Sequence, residues 1–186
     1  MIGLIIGLGI AVVAVIFVGY FIGIYNSFIM LKHNIEKAWA NIDVLLKQRF
    51  DELPKLVASV KGYMKHEKSL LVELTKARTQ SEKAASIQEK AKVSEQMSGI
   101  ITKLFAVAEN YPNLKANENF MQLQGRISDI ENQLSDRREF YNDSVNTFNI
   151  RTEQFPYVII ANWLKYAKKE LFRVTEAEKK DVKIEF

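Results

Sequence analysis

The first twenty-four residues, MIGLIIGLGIAVVAVIFVGYFIGI, contain no Asp, Glu, Lys, Arg or His. At about 1.5 Å per residue, a helix of this length crosses the roughly 30 Å hydrocarbon core of a bilayer. A cleaved signal peptide has a basic start and a shorter apolar run. Here the basic start is missing and the run continues past Ala11 and Ala14 to Ile24. Residues 1–25 are therefore predicted to form an uncleaved transmembrane anchor, with a cleaved signal as the alternative.

The residues that flank the anchor bear on its orientation. Nothing basic precedes it except the amino terminus, whereas Lys32 and Lys37 follow closely. Cytoplasmic flanks of membrane helices are enriched in Lys and Arg. We therefore expect a single-pass protein of the cell (inner or plasma) membrane, with its N-terminus outside and its C-terminal domain in the cytoplasm.

Two glycine pairs lie in the anchor, Gly3 with Gly7 and Gly19 with Gly23. Small residues four positions apart let membrane helices approach closely, which would make a second copy of the chain a partner. Glycine is also simply common in membrane helices, and that interpretation stays open beside the first.

The composition of the chain argues against several classes of function. Its 26 basic and 22 acidic residues are interspersed and leave a net charge of +4, so no nucleic-acid partner is expected. Cysteine is absent, which excludes disulfides and thiol chemistry. His66-Glu67 resembles the start of a zincin motif, but Leu70 occupies the second ligand position. We predict a protein that is not an enzyme and has no metal or other cofactor.

Beyond the anchor, apolar residues recur at intervals of three and four, which is typical of amphipathic helices. Pro54 predicts a kink or restart, and a weaker helix is expected to begin at Ser81. Asn117 is a good N-cap, and Pro156 closes the pattern. The predicted fold is all-α, a transmembrane helix followed by an antiparallel bundle of about four helices over residues 26–156.

Several polar side chains fall on or beside the apolar stripes of these helices. They are Arg49, Glu67, Arg78, Arg137, Arg138 and Asn142. One interpretation is a polar site for a ligand or partner. The other, which we favour because unpaired charges are rare in cores, is a set of ion pairs such as Glu67 with Arg137 or Arg138 that fixes helix register. Trp39 is expected to be a core anchor.

Residues 157–186 are predicted to form a C-terminal helix and a mobile tail. Within them, Val158–Val174 mixes apolar and aromatic residues with lysines: Trp163, Leu164, Lys165, Tyr166, Lys168, Lys169 and Phe172. Such a segment can lie in a membrane interface. It can equally fold back and cap the bundle with its lysines in water, and we favour the cap.

Two blocks of the sequence resemble the bacterial LemA family. They are YNSFIMLKHNIEKAWANIDVLLKQRFDELPKLVASVKGYMKHEKSLLVELTKAR at 25–78 and AENYPNLKANENFMQLQGRISDIENQLSDRREFYNDSVNTFNIRTEQFP at 108–156. The resemblance implies a single-pass protein with a helical bundle, a short outside N-terminus and a cytoplasmic body. The family has no well-established activity; some relatives resemble magnetosome-formation factors and others are encoded beside membrane proteases. The tail after Val174 matches no family motif and is expected to depart from the family.

Together these features predict a membrane-anchored, non-enzymatic scaffold or interaction module at the cytoplasmic face. Its expected partners are the lipid bilayer and another membrane or cytoplasmic protein, with a membrane protease suggested by the family context. The alternative is a lipid-binding or membrane-organising protein that acts through the C-terminal amphipathic segment.

Overall fold

The computed structural model describes residues 1–61, 63 and 68–173. Within these residues the regular structure is entirely helical, which confirms the all-α class. The helices are α1 (Ile2–Lys61), α2 (Lys68–Lys83), α3 (Ile87–Ala108), α4 (Pro112–Lys115), α5 (Glu118–Glu153) and α6 (Tyr157–Trp163). Four of them are long and two, α4 and α6, are short; the apolar pattern did not separate α4.

The first helix runs through Pro54 without ending, so the predicted restart at this residue is wrong. Proline removes one intrahelical hydrogen bond and crowds the preceding turn. The neighbouring Leu53 and Leu56 are 1% and 0% exposed. Their burial holds the helix together, because tertiary packing contributes more to helix stability in a protein than intrinsic propensity does.

The boundary between α2 and α3 lies further along the chain than predicted. Ser81 is inside α2, and Ser86 is the N-cap of α3. The Glu89 amide donates to Ser86 Oγ at 3.1 Å, and the Ser86 amide donates to Glu89 Oε2 at 3.2 Å. This reciprocal capping box is a strong helix start that competes successfully with Ser81. At α5 the predicted cap is confirmed, since the Phe120 amide donates to Asn117 Oδ1 at 3.1 Å.

The chain divides into two compact units. The first unit is Met1–Lys37 with Asp143–Lys169. Its core is aromatic: the ring of Phe28, 0% exposed, lies 5.8 Å from that of Phe148, 6.2 Å from that of Tyr157 and 5.6 Å from that of Tyr166. The edge-to-face geometry of these rings adds to the stabilisation that burial of their surface provides.

The second unit is Ala38–Asn142 with Glu170–Phe186, of which residues up to 173 are described outside the gap at 62 and 64–67. Its core is aliphatic and draws on α1, α2, α3 and α5, for example at Leu56, Leu74, Leu104 and Ile127. Trp39 is half-buried rather than central, and it packs against Tyr141 and Phe172.

Candidate functional site

Arg49 is the most unusual side chain of the second unit, since it is charged and 0% exposed. It extends from α1 towards two other helices. Its Nη1 donates to Glu131 Oε1 on α5 at 2.5 Å and to Ser98 Oγ on α3 at 3.0 Å, while Nη2 donates to Ser94 Oγ at 2.7 Å. Ser98 Oγ also donates to Glu131 Oε2 at 2.7 Å. One guanidinium therefore links three helices through charge-assisted hydrogen bonds.

A second arginine reaches the same group of side chains. Arg138 Nη2 donates to Ser94 Oγ, and the Arg138 guanidinium lies 5.1 Å from the centre of the Phe172 ring. We call Arg49, Ser94, Ser98, Glu131 and Arg138 the polar cluster. It contains two guanidinium groups and one carboxylate.

Burial is the main cause of the electrostatic behaviour of the polar cluster. Desolvation lowers the pKa of Arg49, and the neighbouring Glu131 opposes the change. Desolvation also lowers the pKa of Arg138, with a further contribution from the charge of Arg49. Arginine nevertheless keeps its proton in proteins, so the cluster can bind and orient helices but is a poor proton donor or acceptor.

The structure brings together only part of the network that the sequence predicted. Arg49 and Arg138 meet at Ser94, as described above. Arg78 is partly exposed and its Nε lies 3.4 Å from Glu82 Oε1 on its own helix, and Arg137 is exposed. Glu67 lies outside the described residues, so its pairing with Arg137 or Arg138 stays a prediction.

Sequence reasoning missed Glu131, Ser94 and Ser98. The signal for Glu131 was present, because it follows Ile127 by four residues and precedes Leu134 by three, the same spacing that pointed to the arginines. Ser94 is 0% exposed and Ser98 lies one turn later, so both small polar residues are on the inner stripe of α3.

Asn142, the remaining predicted residue, binds the C-terminal segment in the second unit. Its Oδ1 accepts from the Phe172 amide at 2.8 Å and its Nδ2 donates to the Phe172 carbonyl at 3.3 Å. Tyr141 Oη donates to the Glu170 carbonyl at 3.0 Å, and Phe172 is 4% exposed. Burial, followed by the charge of Glu170, raises the pKa of Tyr141.

In the first unit the C-terminal segment makes a similar contact. Asn149 Oδ1 accepts from the Lys169 amide at 2.8 Å, and its Nδ2 donates to the Lys169 carbonyl at 2.9 Å. The Tyr166 ring packs on Phe148 at 5.4 Å, and Lys168 Nζ lies 2.6 Å from Glu153 Oε1. Lys165 is exposed and Leu164 half-buried. The segment is thus helical only in α6, and residues 164–173 are irregular.

The N-terminal part of α1 has no protein cover. An 18-residue window of this helix has a mean hydropathy of 2.9, and 0% of it is buried. In the described part of the chain, α1 is the one helix long and apolar enough to cross a membrane. A methyl group added at Gly3, Gly7, Gly19 or Gly23 would meet no other side chain within 4 Å, so association through these glycines stays a prediction.

Metal chemistry requires several ligands that converge on one point. Among the described residues, no group of three or more His, Asp or Glu side chains is placed to hold a metal ion. The polar cluster contains one carboxylate and no histidine, so its chemistry is that of an ion-pair network.

A model of the LemA family matches residues 38–186, which is most of the chain. This chain belongs to the LemA family. The match includes every residue of the polar cluster and continues to Phe186. The expectation that the tail after Val174 departs from the LemA family is therefore wrong; the tail is short and polar, so its residues form no distinctive motif.

Individual relatives support the same assignment. Protein LemA of Metamycoplasma hominis is 26% identical over 172 residues, which cover 90% of this chain and 77% of the relative. Magnetosome protein MamQ 2 of Paramagnetospirillum magneticum is 21% identical over 175 residues, which cover 80% of this chain and 64% of the relative. Magnetosome protein MamQ of Magnetospirillum gryphiswaldense is 20% identical, with the same coverage. The chain thus spans slightly less than two-thirds of the length of its magnetosome relatives.

Proposed function

We propose that this LemA-family protein is a non-enzymatic interaction module tethered to the cell membrane. One observation carries the proposal: the same continuous helix is apolar and uncovered over its first twenty residues and carries a buried apolar stripe from Ile24 onwards. Uncovered apolar surface of this extent is stable in lipid and unfavourable in water. The helix therefore connects the bilayer directly to the protein core, with no flexible linker.

The orientation belongs to the proposal as well. The N-terminus lies outside and the bulk of the chain lies in the cytoplasm, in keeping with Lys32 and Lys37 after the apolar stretch. Single cysteines in a chain that has none make the test direct. A cysteine at exposed Val44 should react with a membrane-impermeant maleimide only after the cells are opened; reaction in intact cells contradicts this orientation.

A groove in the second unit is the docking surface that we propose for a protein partner. It lies between α1 and α2, and its volume is about 520 Å³. The residues that line it include the apolar Val57, Leu71 and Val72 and three lysines, Lys61, Lys76 and Lys83. Val72 is 51% exposed, so its side chain is accessible to a partner in the groove.

The chemistry of this groove fits one kind of occupant, an amphipathic helix of a membrane or cytoplasmic protein with apolar and acidic residues. Its apolar side chains would pack on the apolar lining, and its carboxylates would pair with the lysines. A membrane protease is the partner suggested by the family resemblance. A second copy of the chain is the alternative partner, and it would associate through the glycine pairs of α1.

Site-specific photo-crosslinking tests the groove in membranes of producing cells. A photoreactive residue at Val72 should give a discrete adduct, whereas one at Met121, which is 50% exposed on α5, should not. Charge reversal by Lys61→Glu with Lys76→Glu should abolish the Val72 adduct if the partner is acidic. A missing Val72 adduct, or one that survives charge reversal, contradicts the proposed occupant.

A further inference from the structure

α6 has two faces in the first unit. Its inner face is in the core, since Ile160 and Ala161 are 2% and 1% exposed. Its outer face presents Ile159 and Trp163, which are four residues apart and 57% and 67% exposed. Residues four apart are neighbours on a helix, so these two side chains form one apolar surface.

The outer face lies beside the end of the apolar stretch of α1. The Trp163 ring lies 6.0 Å from the Phe21 ring at an interplanar angle of 62°. Phe21 falls near the end of the apolar run, which continues to Ile24. At about 1.5 Å per residue it is about 30 Å along the helix from Met1, which matches the hydrocarbon thickness of a bilayer. Trp163 is therefore at the depth where a membrane meets water.

The position of α6 is fixed by its inner contacts. Tyr157, its first residue, packs on Phe28, and the Arg151 guanidinium lies 5.2 Å from the centre of the Tyr157 ring. Tyr166, just after the helix, packs on Phe28 as well. Because both ends of α6 are held by buried aromatic rings, its outer face cannot turn inwards without breaking the core.

We propose that Ile159 and Trp163 insert into the headgroup region of the leaflet from which α1 emerges. The inference rests on the proposed membrane tether and adds a second contact with the same bilayer. Tryptophan favours this depth because its ring is apolar and its indole N–H can still bond to water or headgroups. Exposed Lys165 lies two residues after Trp163, and a lysine at this depth can extend its ammonium towards lipid phosphates. The occupant of the outer face is thus lipid and not protein.

Fluorescence quenching by brominated lipids tests the proposal in the full chain, reconstituted into phosphatidylcholine–phosphatidylglycerol vesicles. The chain has two tryptophans, so Trp39→Phe leaves only Trp163, and the matched control Trp163→Phe leaves only half-buried Trp39. Lipids brominated near the headgroup end of their chains should remove roughly half of the Trp163 emission, as expected for an interfacial ring. Lipids brominated near the methyl end should quench it less, and Trp39 should respond to neither.

Vesicle flotation distinguishes a failure of the interfacial contact from a failure of the membrane tether. If the chain floats with the vesicles but Trp163 is quenched no more than Trp39, the interfacial contact is wrong while the tether stands. If the chain does not float, both are wrong. A nitroxide on Ile159→Cys gives the same answer with both tryptophans in place: it should collide more often with oxygen than with a water-soluble nickel chelate, and the reverse order overturns the proposal.

Discussion

The two ends of α1 have the same backbone conformation and opposite distributions of polarity. Near the N-terminus, apolar side chains such as Ile16 are 66% exposed and no charged residue occurs. In the second unit, the charged Arg49 is 0% exposed. Backbone hydrogen bonding is satisfied within the helix in both places. The difference teaches that the surroundings decide which side chains the same helix can carry: packed helices around Arg49 and, in our proposal, lipid around Ile16.

The largest effect is expected from Glu131→Ala in the second unit. This change leaves the buried Arg49 guanidinium with neutral partners and a second arginine nearby, which should lower the free energy of unfolding by about 3–5 kcal/mol. Arg49→Met should cost less, because the remaining Glu131 side chain is 26% exposed and can be hydrated. Urea unfolding in detergent micelles, followed by Trp39 fluorescence in a Trp163→Phe background, measures both.

Two further variants test whether the loss of stability comes from the unpaired Arg49 charge. The double variant Arg49→Met with Glu131→Leu should be more stable than Glu131→Ala alone, since it removes the fully buried guanidinium together with its carboxylate partner. Arg78→Ala removes a partly exposed arginine and should change stability by less than about 0.5 kcal/mol. If Arg49→Met lowered the free energy of unfolding as much as Glu131→Ala, the difference in burial between the two side chains would not determine the stability of the polar cluster.

The next effect concerns the N-terminal end of α1. Ile16→Arg places a charge near the middle of the proposed membrane span, and insertion should become less favourable by about 2.5–3.5 kcal/mol. Val44→Arg is the matched control, because Val44 is 56% exposed on the same helix in the second unit. Alkaline carbonate extraction should release part of the Ile16→Arg protein and leave the Val44→Arg protein in the membrane. Equal release of the two would contradict the assignment of different surroundings.

A smaller effect is expected where the C-terminal segment binds the second unit. Asn142→Ala removes both side-chain hydrogen bonds to the Phe172 backbone and should destabilise the unit by about 1–2 kcal/mol. Asn146→Ala, one turn along the same helix at an exposed position, should have little effect. Limited proteolysis after Phe172 should accelerate for Asn142→Ala alone; equal cleavage of the two variants would argue against the contact.

The smallest effect is expected at the N-terminus of α3, the helix that supplies Ser94 and Ser98 to Arg49. Ser86→Ala should cost about 1 kcal/mol, because Ser86 Oγ caps the Glu89 amide. Hydrogen bonds from the Ala85 and Ser86 amides hold the pKa of Glu89 below its ordinary value of 4.5. A depressed carboxyl pKa stabilises the fold above the ordinary value, and this contribution is lost as the pH falls below it. The melting temperature should therefore fall less in acid for Glu89→Gln than for wild type. Identical dependence of the melting temperature on pH in the two proteins would contradict this.

Much of the fold follows from the sequence because hydrophobic periodicity is a local property. The long apolar N-terminal helix, the helical stripes and the Asn117 cap could all be predicted. The end of α2 could not, since Thr79 to Ser81 is polar enough for a turn and the competing Ser86–Glu89 box lies only five residues later. Continuity at Pro54 depends on how tightly Leu53 and Leu56 pack, which no local pattern contains.

The candidate sites were predictable only in part. Spacing alone identified Arg49 as a charge on an apolar stripe. Its partner depends on how α3 and α5 are rotated about their axes, and that rotation places Glu131 and Ser94 beside it. Trp163 was recognised as part of an amphipathic segment. Its exposure, however, depends on which face of α6 the aromatic core of the first unit covers.

Oxygen and nickel accessibility of single nitroxide labels tests the central claim most directly. The chain has no cysteine, so labels can be placed individually at Ile10, Ile16 and Val44 in the full chain reconstituted into vesicles. Labels at Ile10 and Ile16 should collide often with oxygen and rarely with a water-soluble nickel chelate, because they face lipid, and the label at Val44 should show the opposite preference. Nickel accessibility at Ile16 equal to that at Val44 would mean that both ends of the helix lie in water, and the account would be wrong.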